Sequence, residues 1–398
     1  MSVSLKRQTE NILAQQVNDE YYVTCLDRPA IFALGKEWED LSRNALDENP
    51  YFSPAYMLAL LDNLECSSNI RALAVYQNAI LVGFLPFIAD RWHWLGASSV
   101  NRAWVNPYIT LTIPLVARNR AHEIVETLIT AMNEQGANGS FWLFDNFNLN
   151  GPVGKLFAEI LKDKNLPSKT FDEFERATLD QGSTFDQHMI DHVSKKRRRN
   201  LKRNRRRLGE LGKLEMRSFT GGAELESAVE DFLTIEASGW KGQRGTALAC
   251  KENLAAFARR AFGDNQKNPI TRADVLYLND KSIAVSLAIY TGKTAFTLKC
   301  TYDENYRTFS PGLLLEQDII EDFLKTRWVE RLDSATAPGG HVVQGLWNNS
   351  IRVGSLLLCA DSSKSSENFH YYAQIEKLRR LCRQKLKYIV TKSRSEAK

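Results

Sequence analysis

The sequence predicts an α/β fold: two similar units in tandem, each a mixed, twisted sheet flanked by helices, followed by a basic C-terminal helix. Three observations carry this. β-rich runs alternate with helical periods, which favours mixed sheets over a sandwich. A hairpin pattern occurs twice, in Ile70–Ile88 and Arg272–Tyr290, each with Tyr, one residue and Asn at the turn (Tyr76-Gln77-Asn78 and Tyr277-Leu278-Asn279), 201 residues apart. A helical run followed by a short strand ending near an Asp also occurs twice: Ala121–Glu134 then Phe141–Phe147, and Leu313–Lys325 then Val329–Ala335.

Taken in order, residues 1–20 are polar and without a clear period, so they read as a mobile leader. Residues 21–165 form the first unit. Its end falls in Asn148–Thr170, where Gly151, Pro152, Gly154 and Pro167 surround one short helical run, Leu156–Leu161. Residues 170–365 form the second unit. Residues 366–398 read as a basic helix and frayed tail: Tyr371–Lys398 holds nine Lys/Arg against two Glu, with Leu378, Leu381, Leu386 and Ile389 at a helical period.

The 398 residues carry a net charge of +5, but Lys195–Arg207 alone supplies ten Lys/Arg and no acid. The remainder, with 42 bases against 47 acids, is net negative, so the positive charge is local. Six scattered cysteines without a C-x-x-C pair are expected to be reduced thiols of a cytoplasmic protein. No export signal is read at the N-terminus, and no apolar stretch approaches the ~18 to 20 residues of a membrane span.

Several motifs fail. Thr291-Gly292-Lys293-Thr294 ends like a P-loop, but Leu287 stands where the first glycine must be. G-x-S-x-G is absent, and no G-x-G-x-x-G follows a strand. His188 and His192 have i, i+4 spacing without a third ligand, so no metal is expected.

Thr294–Lys325 is the informative stretch. A strand to Thr301 breaks at Tyr302-Asp303-Glu304, and Ser310-Pro311-Gly312 opens an amphipathic helix with Ser as N-cap and Pro at the first position. Amides at Gly312 and its neighbours can bind an anion such as a pyrophosphate; the alternative is a well-capped helix start and nothing more.

These residues, with Tyr306, Leu313-Leu314, the run Glu236-Ala237-Ser238-Gly239-Trp240-Lys241-Gly242, the basic run, and Asn49-Pro50-Tyr51-Phe52-Ser53-Pro54, resemble the CelD/BioF-like branch of the GNAT acyltransferases. The resemblance spans Phe32–Asp361. Such proteins are similar to the Fem-type aminoacyl transferases in carrying two GNAT-like units. The resemblance implies that the strand ending at Thr301 splays from its neighbour, and that the loop through Arg307, Ser310, Gly312 and Leu313 receives the pantetheine and pyrophosphate of an acyl-CoA. The sequence departs from the GNAT [QR]-x-x-G-x-[GA] loop, keeping Arg307 and Gly312 at different spacing and one glycine. Fem-type relatives take their acyl group from aminoacyl-tRNA, so both donors remain open.

The chemistry asks for orientation, proton removal and oxyanion stabilisation. A backbone amide near Lys299–Thr301 can serve the oxyanion, with Glu236, Tyr302 and Asp303 as candidate catalytic groups. Each also has a structural reading: a helix-bound carboxylate, a packed ring, a turn. Trp240, Lys241 and Arg244, on a glycine-rich loop, suit a sugar or phosphate-bearing acceptor, or else anchor the loop.

In the basic segment Ile190, Val193, Leu201, Leu208 and Leu211 form an apolar stripe, with Lys195, Arg198, Arg199, Lys202, Arg205 and Arg206 away from it. That face is either solvated or a seat for tRNA, anionic lipid or the donor nucleotide. The expected function is acyl transfer from acyl-CoA, with no permanently bound cofactor, to an amine or hydroxyl, on a sugar or envelope-polysaccharide precursor. The alternatives are tRNA-dependent aminoacyl transfer and a non-catalytic nucleic-acid or membrane-surface binder.

Overall fold

In both predicted hairpins the two turn residues are left-handed, Asn78 and Ala79 in the first, Asn279 and Asp280 in the second. This is the two-residue turn whose twist matches the flanking strands. The computed structural model describes residues 15–18, 21–64, 69–90, 100–135, 139–263, 268–337, 343–363 and 366–396.

The first half runs β1 (Gln15–Asn18), β2 (Tyr21–Leu26), α1 (Arg28–Ala33), α2 (Lys36–Arg43), α3 (Pro54–Asn63), β3 (Arg71–Gln77), β4 (Ile80–Asp90), β5 (Val100–Ala103), β6 (Leu115–Val116), α4 (Ala121–Glu134), β7 (Phe141–Asn148), α5 (Pro152–Asp163) and β8 (Ser168–Asp180). The second runs α6 (Phe185–His192), α7 (Lys195–Gly209), β9 (Leu214–Phe219), α8 (Gly222–Ser238), α9 (Trp240–Gln243), α10 (Glu252–Phe262), β10 (Ile270–Leu278), β11 (Lys281–Tyr290), β12 (Thr294–Tyr302), α11 (Pro311–Thr326), β13 (Arg331–Asp333), β14 (Asn349–Cys359) and α12 (Ser366–Glu396). Of the expected leader, β1 lies among the described residues and pairs with β2; the rest lies outside them.

All fourteen strands join one mixed sheet, ordered β1-β2-β3-β4-β5-β7-β14-β8-β13-β12-β11-β10-β9, with β6 beside β4. The repeat is visible in its details. Each hairpin carries a bulge at its tyrosine, between Val75 and Tyr76 and between Leu276 and Tyr277. Each half has one parallel pair joined through a helix, β5 with β7 through α4 and β12 with β13 through α11. The strand after that pair crosses over: β8 lies against β13 of the second half, β14 against β7 of the first, and β8 and β14 pair at the centre. A shared apolar core backs the arrangement, with Tyr51 edge-on to Phe296 and Tyr56 edge-on to Phe257.

Three local expectations need correction. Ser310 is left-handed (φ 55) and its hydroxyl makes no capping bond; its carbonyl instead accepts from Leu313 and Leu314 N–H. The apolar stripe of the basic segment is interrupted because Ser194 caps a new helix, accepting from Arg197 N–H. Val193, Leu201 and Leu208 are buried as expected, whereas Ile190 and Leu211 are exposed. On α12, Leu378 and Leu381 are exposed, and the helix packs instead through Phe369, Tyr372 and Ala373 against Phe141 and Leu357. The side chains of Leu386 and Ile389 lie outside the described residues.

Candidate active site

The parallel pairing of β12 with β13 lasts three residues, Thr294 to Phe296 against Arg331 to Asp333. Thr297 Oγ1 donates to Asp333 O at 3.3 Å, and beyond it β12 continues to Tyr302 without β13 beside it. A bulge opposite Leu287 and Ala288 turns this free stretch. Backbone groups alternate sides along a strand, so every second amide and carbonyl of the stretch faces the gap. Among the described residues, one strand thus offers backbone hydrogen-bonding groups without a strand partner on that side.

Side chains line the gap on both faces. Cys300 and Tyr302 stand beside the first turn of α11: a Cβ at Gly312 would lie 3.5 Å from Tyr302 Cδ1 and 3.8 Å from Cys300 Sγ. Pro311 has no N–H, and Leu313 and Leu314 donate to Ser310, so the Gly312 amide alone is left to meet a ligand there. Arg307 is exposed on the 3-10 turn Glu304–Phe309, just ahead of this helix. Cys300 is open to solvent yet walled by protein, and this wall together with the Glu316 carboxylate pushes its thiol up to about 12.

On the other face lie Glu236, Lys241, Lys299 and, from the first half, Tyr108. Glu236 is buried at the end of α8 and accepts from Lys241 Nζ at 2.7 Å and Leu248 N–H at 2.8 Å. The turn that returns Lys241 to it requires glycine at 242, where a Cβ would sit 1.7 Å from the Ala237 carbonyl oxygen. Glu304 accepts from Trp240 N–H at 2.8 Å and ties this turn to the loop after β12. Trp240 is 47% exposed on the short helix α9 with the Arg244 guanidinium 4.9 Å from its ring centre. Asp303 accepts from Lys281 Nζ at 2.9 Å and Asn305 N–H at 3.0 Å. Burial opposes its charge, but these donors outweigh it and hold the carboxyl below the ordinary range.

The sequence did not single out three groups at this site. Glu316, buried on α11 one turn beyond Gly312, accepts from Trp347 Nε1 at 2.7 Å. Burial and nearby Asp274 push its carboxyl up to about 7. The Lys299 ammonium lies 5.2 Å from the centre of the Tyr108 ring, and burial lowers its pKa. Arg176, fully buried on β8 beneath the mouth of the gap, pairs with Asp333 at 3.6 Å and donates to Thr110 O. No signal in the sequence joins Tyr108 to Lys299 or Trp347 to Glu316, because each pair is made by chain segments far apart.

The basic residues divide. Arg205 pairs with Asp318 and donates to Leu314 O, and Arg207 stacks on Phe309, so α7 borders the gap on the side of α11. Lys195, Arg199, Lys202 and Arg206 face outward, while Arg198 is half-buried. His188 Nε2 bonds Leu346 O at 2.7 Å in the core.

The equivalent gap in the first half is filled. Residues 104–114 leave the sheet between β5 and β6 and lie over the end of β7, where Thr112 N–H donates to Asn146 O at 3.3 Å and Asn146 Nδ2 to Ile109 O at 3.2 Å. Arg102 and Arg380 clamp Asp145 beside it. The same excursion carries Tyr108 and Thr110 into the open gap of the second half.

A splayed parallel pair, with a helix beginning behind the splayed strand, decides the fold family of this half. Residues 195–339 match the family model of the acetyltransferase (GNAT) domain. That stretch is a GNAT-type acetyltransferase domain. The GNAT domain runs from the first residue of α7 to just beyond β13 and contains both walls of the gap. No curated protein matches the sequence significantly. Among solved structures, FemX is similar over 81% of this chain and 95% of its own, at 10% identity and a TM-score of 0.53. The C-terminal domain of an Agrobacterium fabrum protein assigned as a lysylphosphatidylglycerol synthetase is similar over 82% and 91%, at 12% identity and TM-score 0.50. A conserved protein of unknown function from Bacteroides thetaiotaomicron is similar over 87% and 99%, at 9% identity and TM-score 0.50. At these identities the likeness is one of fold, and it extends beyond the GNAT domain to most of the chain. Among the described residues no helix is long and apolar enough to cross a membrane.

Proposed function

We propose that residues 170–365, β8 included, transfer an acyl group from acyl-CoA to an amine or hydroxyl, in the manner of the CelD/BioF-like branch, while the rest of the first half braces the site. The observation that supports this is the gap between β12 and β13: the free backbone edge of β12 can pair with the amides of a pantetheine arm, and the Gly312 amide can take one pyrophosphate oxygen. Arg307 adds an exposed cation on that side. An amide on the free edge near Lys299–Thr301 would stabilise the oxyanion as the acceptor attacks the thioester.

The candidate proton acceptors differ in what already holds them. Both Glu236 oxygens are occupied, Asp303 is held as an anion by Lys281, and Tyr302 is half-exposed at the gap. Glu316, with one oxygen free of a partner among the described residues and a carboxyl raised to about 7, suits the task best, leaving Glu236 to fix Lys241. The exposed Trp240, with Lys241 and Arg244, remains the proposed seat for a sugar or polysaccharide-precursor acceptor.

Calorimetry with acetyl-CoA on wild type and Gly312→Glu tests the donor. A carboxylate there repels a pyrophosphate while complementing the helix dipole, and loss of one charge-assisted hydrogen bond of ~1.5 to 3 kcal/mol weakens binding by at least tenfold. Equal binding by both proteins would place the donor elsewhere.

A second reading, aminoacyl transfer from tRNA, is favoured by the outward cations of α7, where Lys195, Lys196, Arg199, Asn200 and Arg203 line a hollow of about 540 Å³. Failure of the wild type to bind acetyl-CoA, together with RNase-sensitive nucleic acid in the purified protein, would move it ahead.

A further inference from the structure

The charges at the junction of the two halves do not balance. Lys241 and Lys299 face one carboxylate, Glu236, and that carboxylate already accepts from Lys241 and from the Leu248 amide. Lys299 makes no hydrogen bond or ion pair within the described residues; its ammonium has only the Tyr108 ring, 5.2 Å away. Lys299 is half-buried, and burial and Lys241 together favour its loss of a proton despite the pull of Glu236. A cation in this position is costly unless something negative comes to it. Lys299 stands on the free stretch of β12, and Tyr108 arrives from the excursion of the first half that fills that half's own gap. Lys299 and Tyr108 are therefore brought together where the two halves meet, on the face of β12 opposite Cys300 and Gly312.

We propose that Lys299, seconded by Lys241 and walled by Tyr108, binds a phosphate or carboxylate group of the acceptor, so that the acceptor is an anionic molecule held with its nucleophile beside the splayed strand. That the anion belongs to an acceptor rests on the acyl-transfer reading; that an anion binds here does not. Glu236 serves the pocket by fixing Lys241, and the ring of Tyr108 excludes water from one side of the ammonium.

The test is thermal unfolding of the full chain in chloride, in inorganic phosphate and in acetate at equal ionic strength, on wild type, Lys299→Met and Lys202→Gln. Lys299→Met keeps the aliphatic stem and removes a poorly compensated charge, so in chloride it should melt no lower than wild type. An anion held only by the folded chain raises the midpoint by mass action, and tens of millimolar phosphate should raise that of wild type by about 2 °C or more. The rise should vanish in Lys299→Met. A larger rise with acetate than with phosphate would assign the pocket to carboxylates. A rise that survives in Lys299→Met, or its absence from wild type, would overturn the proposal, and a rise abolished in Lys202→Gln instead would place the anion on α7. Acetyl-CoA titrated into the same proteins separates the two claims: phosphate stabilisation through Lys299 without acetyl-CoA binding would leave the anion pocket standing and remove the acyl-CoA reading.

Discussion

At the scale of single residues, Glu316 combines burial with a carboxyl raised to about 7, well above the ~4.3 of an unfolded chain. The native state therefore holds a proton that the unfolded state has released over that interval, and stability falls as pH rises from about 4 to about 7. The full cost, about 4 kcal/mol at 1.36 kcal/mol per unit, is present above pH 7 and absent below about 4. Glu316→Gln keeps an acceptor for Trp347 Nε1 and removes the charge, so its melting temperature should exceed that of wild type at pH 8 and approach it near pH 4.5. Parallel pH dependences of the two proteins would show that the carboxyl is not buried as described. Glu316 was legible in the sequence only as one more acid on a helix. Its chemistry comes from burial, which outweighs the hydrogen bond from Trp347 Nε1, a residue just ahead of β14 in the chain.

Among the elements, α7 shows how far a periodicity argument carries. Three apolar positions of the stripe are buried, and the cations between them are turned outward because a helix has only one face to bury. The argument failed at Ile190 and Leu211, where Ser194 and Gly209 end the helix and the period no longer applies. It also could not tell a solvated cation from a paired one. Arg205 belongs to the packing, through Asp318, whereas Arg199 and Lys202 are exposed and Arg206 makes an exposed pair with Glu210. Replacing those three with Gln should leave thermal stability nearly unchanged. It should also reduce the slope of log affinity against log salt, for RNA or anionic vesicles, by about 0.7 to 0.9 for each phosphate that is no longer neutralised. Binding by neither, at any salt, in the wild type would make the face merely solvated.

For the molecule as a whole, the sheet joins the halves edge to edge. β14, whose Val353–Cys359 segment is buried, lies between β7 of the first half and β8. Separating the chain near residue 166 would bare the edge of β7 on one fragment and that of β14 on the other. It would also expose Tyr51, Tyr56, Phe257 and Phe296 of the common core. Residues 15–165 and 166–396 expressed alone should aggregate, and expressed together they should form a soluble 1:1 complex on size-exclusion chromatography. Two independently soluble monomers would mean that the edge pairing contributes little.

The sequence by itself determined the repeat. Hairpin turns, bulge-bearing tyrosines, connecting helices and the strands after them are set by contacts within a few tens of residues, and their signatures survive in any one stretch of chain. It also located the strand and helix start that frame the gap, because Thr294–Tyr302 and Pro311–Thr326 follow their own periodicity. Only the tertiary structure decided which gap stays open. That choice depends on residues 104–114 leaving one half and lying against the other, and on Arg380 returning from the last helix to Asp145. Such contacts join segments separated by tens to hundreds of residues, and they depend on how the sheet twists and which strand becomes whose neighbour, which no local pattern of apolar and polar residues records.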